Sequence, residues 1–159
     1  MSRALATELL DRAMAAGATV TTAESCTGGM VAAAITDVAG SSNIFDRGFV
    51  TYSNDAKRDL LGVSASTLDT CGAVSEPVVK QMAIGALNAA GASVAVAISG
   101  IAGPGGSEHK PEGRVCFAIA TADTVKSETV EFGARGRAQV RDAATEHALA
   151  LLLRALGEL

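Results

Sequence analysis

Apolar positions change their period repeatedly along this chain, and each change marks an element. In residues 3–16, Leu5, Leu9, Leu10, Ala13 and Met14 recur at helical spacing until Gly17 stops the run. Residues 18–23 are rich in β-branched side chains and predict a strand. A polar turn at 24–29 precedes an apolar helical stretch over 30–38, and the Gly40-Ser41-Ser42-Asn43 turn ends it. Residues 49–52 predict a strand, 54–61 a short helix closed by Gly62, and 64–71 another closed by Gly72. Ser75-Glu76-Pro77 combines a capping hydroxyl, a first-turn acid and an early proline, a strong helix start. Val79, Met82, Ala83, Ala86, Leu87 and Ala90 then share one face. Residues 94–98 are continuously apolar, the pattern of a strand buried on both faces. A glycine- and proline-rich loop fills 100–113. Strands at 114–121 and 125–132 have the short spacing of a hairpin, and a closing helix over 137–156 turns Val140, Ala144, Ala148, Leu151, Leu152 and Ala155 inward.

This order predicts an α/β fold: a mixed sheet of about five strands with helices on both faces. The 94–98 strand belongs at its centre, and the pattern leaves the strand order open. The 159 residues fit one domain spanning 1–159, without repeat or linker.

Composition narrows the function. Hydrophobic residues make up 48% and charged residues 19%, which excludes a disordered chain, and no apolar run is long enough for a membrane span. The acid at Glu8 interrupts the apolar core that a signal peptide needs. The net charge is −4 and aromatics are 3%, so neither a basic face nor a stacking platform for nucleic acid is expected. Cys26, Cys71 and Cys116 are odd in number and widely spaced, as reduced thiols in a cytoplasmic protein would be. The cysteines and histidines lack zinc spacing, and no metal or cofactor is expected.

Two glycine-bearing segments are candidates for chemistry. Ser25-Cys26-Thr27-Gly28-Gly29 joins a strand to a helix. Unpaired amides and the positive helix end there favour an anion or a developing oxyanion, although Ser25 or Thr27 as a plain helix cap fits equally well. Ser99-Gly100-Ile101-Ala102-Gly103-Pro104-Gly105-Gly106 follows the buried strand, where α/β sheets bind ligands. No Gly-Lys-Ser/Thr follows it, so a Walker-type phosphate loop is excluded. The plain alternative is a long surface loop. Between these segments, Tyr52-Ser53-Asn54-Asp55-Ala56-Lys57 runs from a strand end into a helix. A lone lysine is usually a solvated charge, whereas a desolvated one serves as a base.

Ala23-Glu24-Ser25-Cys26-Thr27-Gly28-Gly29, the 52–57 segment, Gly72-Ala73-Val74-Ser75-Glu76 and the 99–106 segment together, in this order, resemble the CinA C-terminal domain family. The resemblance covers nearly the whole chain. It implies a three-layer α/β/α sandwich on a mixed sheet, in its stand-alone form. It also implies an amidohydrolase acting on nicotinamide mononucleotide in pyridine nucleotide salvage, releasing nicotinate mononucleotide and ammonia. By the same resemblance Ser25 is the nucleophile, Lys57 the base, and Tyr52 stands near them. Ser99 takes a position where many relatives have threonine. Arg137 and Arg141 match two arginines of the last family motif, and Gly136 replaces an aspartate often found before the first.

On this reading the small nucleotide substrate meets Cys26, Thr27, Gly28 and Gly29 on one side. Ser99, Gly100, Ile101, Ala102, Gly103, Arg137 and Arg141 meet it on the other. The 100–106 loop and an arginine are the candidates for its phosphate. His109 and His147 are read as non-catalytic. Two rival readings stand beside this one: an amidase using Cys26, whose thiol a helix start would acidify, and a non-catalytic nucleotide-binding or interaction module. The pattern leaves the oligomeric state open, a homo-oligomer included.

Overall fold

A computed structural model describes residues 1–107 and 109–159 of the protein. Five strands form one sheet in the order β2-β1-β3-β4-β5. They are β1 (Val20–Glu24), β2 (Phe49–Val50), β3 (Val94–Gly100), β4 (Arg114–Ala120) and β5 (Val125–Glu131). β1 lies parallel to both β2 and β3, whereas β3–β4 and β4–β5 are antiparallel. The 114–132 segment is therefore a hairpin, and the 94–98 run is the central strand with every residue buried.

The uniform apolar run of β3 conceals an alternation that sorts the two helical layers. Val94, Val96 and Ile98 face a core shared with α1 (Ser2–Ala16), α2 (Met30–Thr36) and α6 (Arg137–Leu156). Ala95 and Ala97 face the other side, where α3 (Asn54–Leu61), α4 (Ala65–Cys71) and α5 (Glu76–Ala90) pack. Successive side chains of a strand point to opposite faces, so one strand presents a bulky face and a small one. The small face lets the α5 layer approach closely.

Local chemistry accounts for most boundaries. Ser53, Ser64 and Ser75 each accept a backbone N–H in the first turn of α3, α4 and α5, and Gly17, Gly62 and Gly91 end helices in the left-handed conformation. Two expectations shift. In α1, which packs on α6, the buried face is Ala6, Leu9, Leu10 and Ala13, with Leu5 partly buried and Met14 exposed. The predicted 49–52 strand ends at Val50. Thr51 still donates its amide to Glu24 O at 2.9 Å, while the carbonyls of Thr51 and Tyr52 accept hydrogen bonds from a lysine of α3.

That lysine helix is seated by a close backbone approach. A Cβ on Gly85 of α5 would collide with the carbonyl oxygen of Leu61, at the end of α3. Gly85→Ala must push the two helices apart. It is expected to lower stability by about 1–3 kcal/mol, read as a fall in the midpoint of denaturant unfolding.

Candidate active site

The three parallel strands end on the same side of the sheet, and each delivers a polar group there. Ser25 directly follows β1, and its amide donates to Ile98 O on β3 at 2.9 Å. Thr51 and Tyr52 follow β2. Ser99 and Gly100 close β3. This is the crevice beyond the carboxyl ends of the strands, where α/β sheets hold ligands.

Lys57 reaches this crevice from the first turns of α3 and is 0% exposed. Its Nζ lies 2.9 Å from Ser25 Oγ, 2.9 Å from Thr51 O and 3.0 Å from Tyr52 O. Among the described residues, no carboxylate forms an ion pair with it. An unpaired buried ammonium is costly, and burial lowers this pKa from 10.5 to about 8. The neutral amine suits the surroundings by count: two N–H donors for two carbonyls, and one lone pair left for the Ser25 hydroxyl. Lys57 is thus placed to take the Ser25 proton, and the serine oxygen to act as a nucleophile.

Cys26 is buried beside Ser25, and burial pushes its thiol up to about 12. It stays protonated near neutral pH, which disfavours it as the nucleophile.

The start of α2 is already occupied by an anion of the protein itself. The carboxylate of Glu24, 0% exposed, accepts from Thr27 Oγ1 at 2.7 Å and from the amides of Gly29, Val31 and Ala32 at 3.2, 2.9 and 3.0 Å. Neither Ser25 nor Thr27 caps the helix; Gly29 holds the N-cap position. The amides of Cys26 and Thr27 have no acceptor among the hydrogen bonds of the described residues. Of the two residues, Cys26 lines the cleft over Ser25, and Thr27 does not, so the Cys26 amide is the donor this turn offers to a developing oxyanion.

A cleft of about 310 Å³ opens over Ser25 and Lys57. Its wall includes Cys26, Tyr52, Ala73, Val74, Ser99, residues 100–107 and Arg137. Arg137 donates Nη1 to Gly103 O at 2.7 Å and Nη2 to Tyr52 Oη at 3.1 Å, tying the two rims together. The glycine loop is pinned rather than loose. Lys110 Nζ donates to Cys71 O and Val74 O at 2.8 and 2.6 Å, and the amide of Gly105 donates to Glu112 Oε1 at 2.6 Å. Of the residues singled out from sequence, Thr27, Gly28, Gly29 and Arg141 lie off this wall. Arg141 instead donates to Cys26 O at 3.0 Å and Thr27 O at 3.4 Å. His147 contacts Glu128 at 2.8 Å and packs on Phe117, away from the cleft. Among the described residues, no group of three or more His, Cys, Asp or Glu side chains is placed to hold a metal ion, and no helix is long and apolar enough to cross a membrane.

The model of the CinA C-terminal domain family matches residues 2–156. The chain belongs to this family. It is 62% identical over 139 residues to the nicotinamide-nucleotide amidohydrolase PncC of Escherichia coli (strain K12), covering 87% of this chain and 84% of that protein. A CinA-like protein of Mycolicibacterium gilvum is 54% identical over 146 residues, which is 91% of this chain and 34% of that longer protein. The competence/damage inducible protein CihA from Agrobacterium tumefaciens superposes with a TM-score of 0.94 at 48% identity, covering 98% of this chain and 95% of that one. A CinA superfamily protein from Klebsiella pneumoniae 700603 does so with 0.96 at 39% identity, covering 100% and 99%.

Sequence reasoning did not assign roles to Glu24, Lys110 or Glu112. An acid just before a glycine-bearing helix start was the available signal for Glu24. For Lys110 and Glu112 there was none, because their partners lie in backbone brought close only by folding.

Burial of Lys57 also leaves a mark on stability. Between about pH 8 and 10.5 the unfolded chain holds the Lys57 proton and the folded chain does not, so stability at this group rises with pH across that window. Unfolding free energies of wild type and Lys57→Met, measured by denaturant from pH 7 to 10.5, should therefore diverge in favour of wild type as pH rises.

Proposed function

We propose that this protein hydrolyses the carboxamide of nicotinamide mononucleotide to nicotinate mononucleotide and ammonia, with Ser25 as nucleophile and neutral Lys57 as base. One observation carries the residue assignment: a serine hydroxyl 2.9 Å from a buried amine whose two N–H donors have carbonyl partners. The activity is that named for the Escherichia coli relative, and the cleft matches the lower range of small-molecule sites, about 300–1,000 Å³.

Lys57 takes the Ser25 proton as Oγ attacks the carboxamide carbon. The tetrahedral oxyanion meets the amide of Cys26, a donor of this kind being worth about 3–4 kcal/mol. The lysine passes its proton to the leaving nitrogen, and the C–N bond breaks to release ammonia and leave an ester on Ser25. Water, deprotonated by the same amine, then cleaves that ester, and the proton returns to Oγ. Arg137 and the loop amides that have no partner among the described residues, those of Ala102, Gly103 and Gly106, hold the substrate phosphate. Tyr52 and Ser99 line the space for the ring and ribose. The reaction draws on no metal, cofactor, nucleic acid or membrane, and belongs in the cytoplasm.

Ammonia release from nicotinamide mononucleotide tests the reading. Ser25→Ala should abolish turnover while substrate binding stays measurable. Lys57→Met should lose nearly as much, and the double variant no more, since residues acting as one unit are not additive. Lys57→Arg should fail because a guanidinium stays protonated. Near-normal turnover in a folded Lys57→Met would sink the base assignment. Cys26→Ala should keep measurable turnover.

The neutral amine is the working form, so kcat/KM should climb with pH and level off above about 8. A profile flat from pH 6 to 9 would contradict a titrating base.

A further inference from the structure

The turn that carries Ser25 is gripped from two sides by charged groups off the cleft wall. On the inner side, the Glu24 carboxylate takes the hydroxyl of Thr27 and three amides of the α2 start. On the other, Arg141 of α6 donates Nε to Cys26 O at 3.0 Å and Nη2 to Thr27 O at 3.4 Å. Gly28 makes room for it. Its φ is +57°, and a Cβ there would stand 3.3 Å from Arg141 Nη2.

These contacts use up most of the turn. The amides of Ser25, Gly28, Gly29 and Met30 go to Ile98 O, Ser25 O, Glu24 Oε1 and Thr27 O. Cys26 and Thr27 keep theirs. The carbonyl that Arg141 Nε holds, Cys26 O, belongs to the residue that follows Ser25 and lines the cleft, so the contact fixes the backbone there. Arg141, unlike Arg137, lies off the cleft wall, so its guanidinium is poorly placed to hold substrate.

We infer that Glu24 and Arg141 are positioning residues for the reaction proposed above. They hold the nucleophile turn so that Ser25 Oγ and the Cys26 amide, the parts of it that line the cleft, meet the substrate carbonyl and its oxyanion, and Arg141 acts through the turn rather than on the nucleotide. The inference rests on the amidohydrolase reading.

Steady-state ammonia release at the pH plateau separates the possibilities. Losing one oxyanion donor costs about 10²–10³ in kcat, and a misplaced one somewhat less. Arg141→Met should therefore lower kcat at least about tenfold, with KM within about twofold and the kinetic pKa unmoved. Arg141→Lys keeps the charge without the fork and should recover part of the loss. Glu24→Gln sets its NH2 against amide hydrogens and should also lower kcat with KM kept. A tenfold or greater rise in KM with kcat kept would make Arg141 a substrate ligand and overturn the inference. Unchanged kcat in both Arg141→Met and Glu24→Gln would do the same, as would a shifted kinetic pKa, which would trace the loss to Lys57. Failure of both Arg141 variants to fold would reduce the contact to a structural clasp. If wild type releases no ammonia, the amidohydrolase reading itself falls; an active wild type with unaffected variants removes this inference alone.

Discussion

A primary amine with no exposed surface and, among the described residues, no acidic partner is the constraint around which this molecule is arranged. Such a group is tolerated only if its hydrogen-bonding capacity is met and its charge is surrendered readily. Thr51 and Tyr52, just past the end of β2, meet the first requirement by offering their carbonyls to Lys57 Nζ. Burial meets the second by lowering the pKa to about 8. The contact that remains is to Ser25 Oγ, which sets an amine of lowered pKa beside a hydroxyl.

Geometry for that contact comes from the sheet and the small-residue layer above it. Ser25 is locked to the central strand through Ile98 O, so its position is set by the stiffest part of the fold. Lys57 belongs to α3, which lies against α5 at Gly85 in the layer covering the Ala95 and Ala97 face of β3. Larger residues at these positions would lift the helix and carry the amine away from the serine. Small side chains thus act here as spacing devices for chemistry as well as packing.

The helix start beside the nucleophile illustrates how two uses of the same electrostatics compete. The positive end of α2 favours an anion, and the protein fills that place with Glu24. In the proposed reaction the oxyanion must then rely on the Cys26 amide, ahead of the helix, rather than on the first turn. Glu24 and Arg141 have opposite charges on opposite groups of one turn, carboxylate on N–H and guanidinium on C=O, so each satisfies the polarity it meets. The opposite rim is steadied in the same way by Lys110 on the carbonyls of Cys71 and Val74, and by Arg137 bridging Gly103 and Tyr52.

Periodicity and capping residues alone determined the elements: Ser75-Glu76-Pro77 starts α5, the 94–98 run is the central strand, and 114–132 is a hairpin. These depend on neighbours in the chain and on burial averaged over a face, so they are written locally. The motif residues Ser25, Tyr52, Lys57, Ser99 and Arg137 were legible as candidates by type and by resemblance, and folding gathers them around one cleft. Only the tertiary structure decided that Lys57 is buried, that β2 stops before Thr51, and that β1 sits between β2 and β3. It also turned Arg141 away from the cleft wall and onto the Ser25 turn. Each of these depends on groups far apart in sequence, such as α6 and the β1–α2 turn, meeting at distances of a few ångströms. Desolvation and hydrogen-bond partnership exist only once those groups have met, and a lysine or an arginine carries no mark of either in its own neighbourhood of the chain.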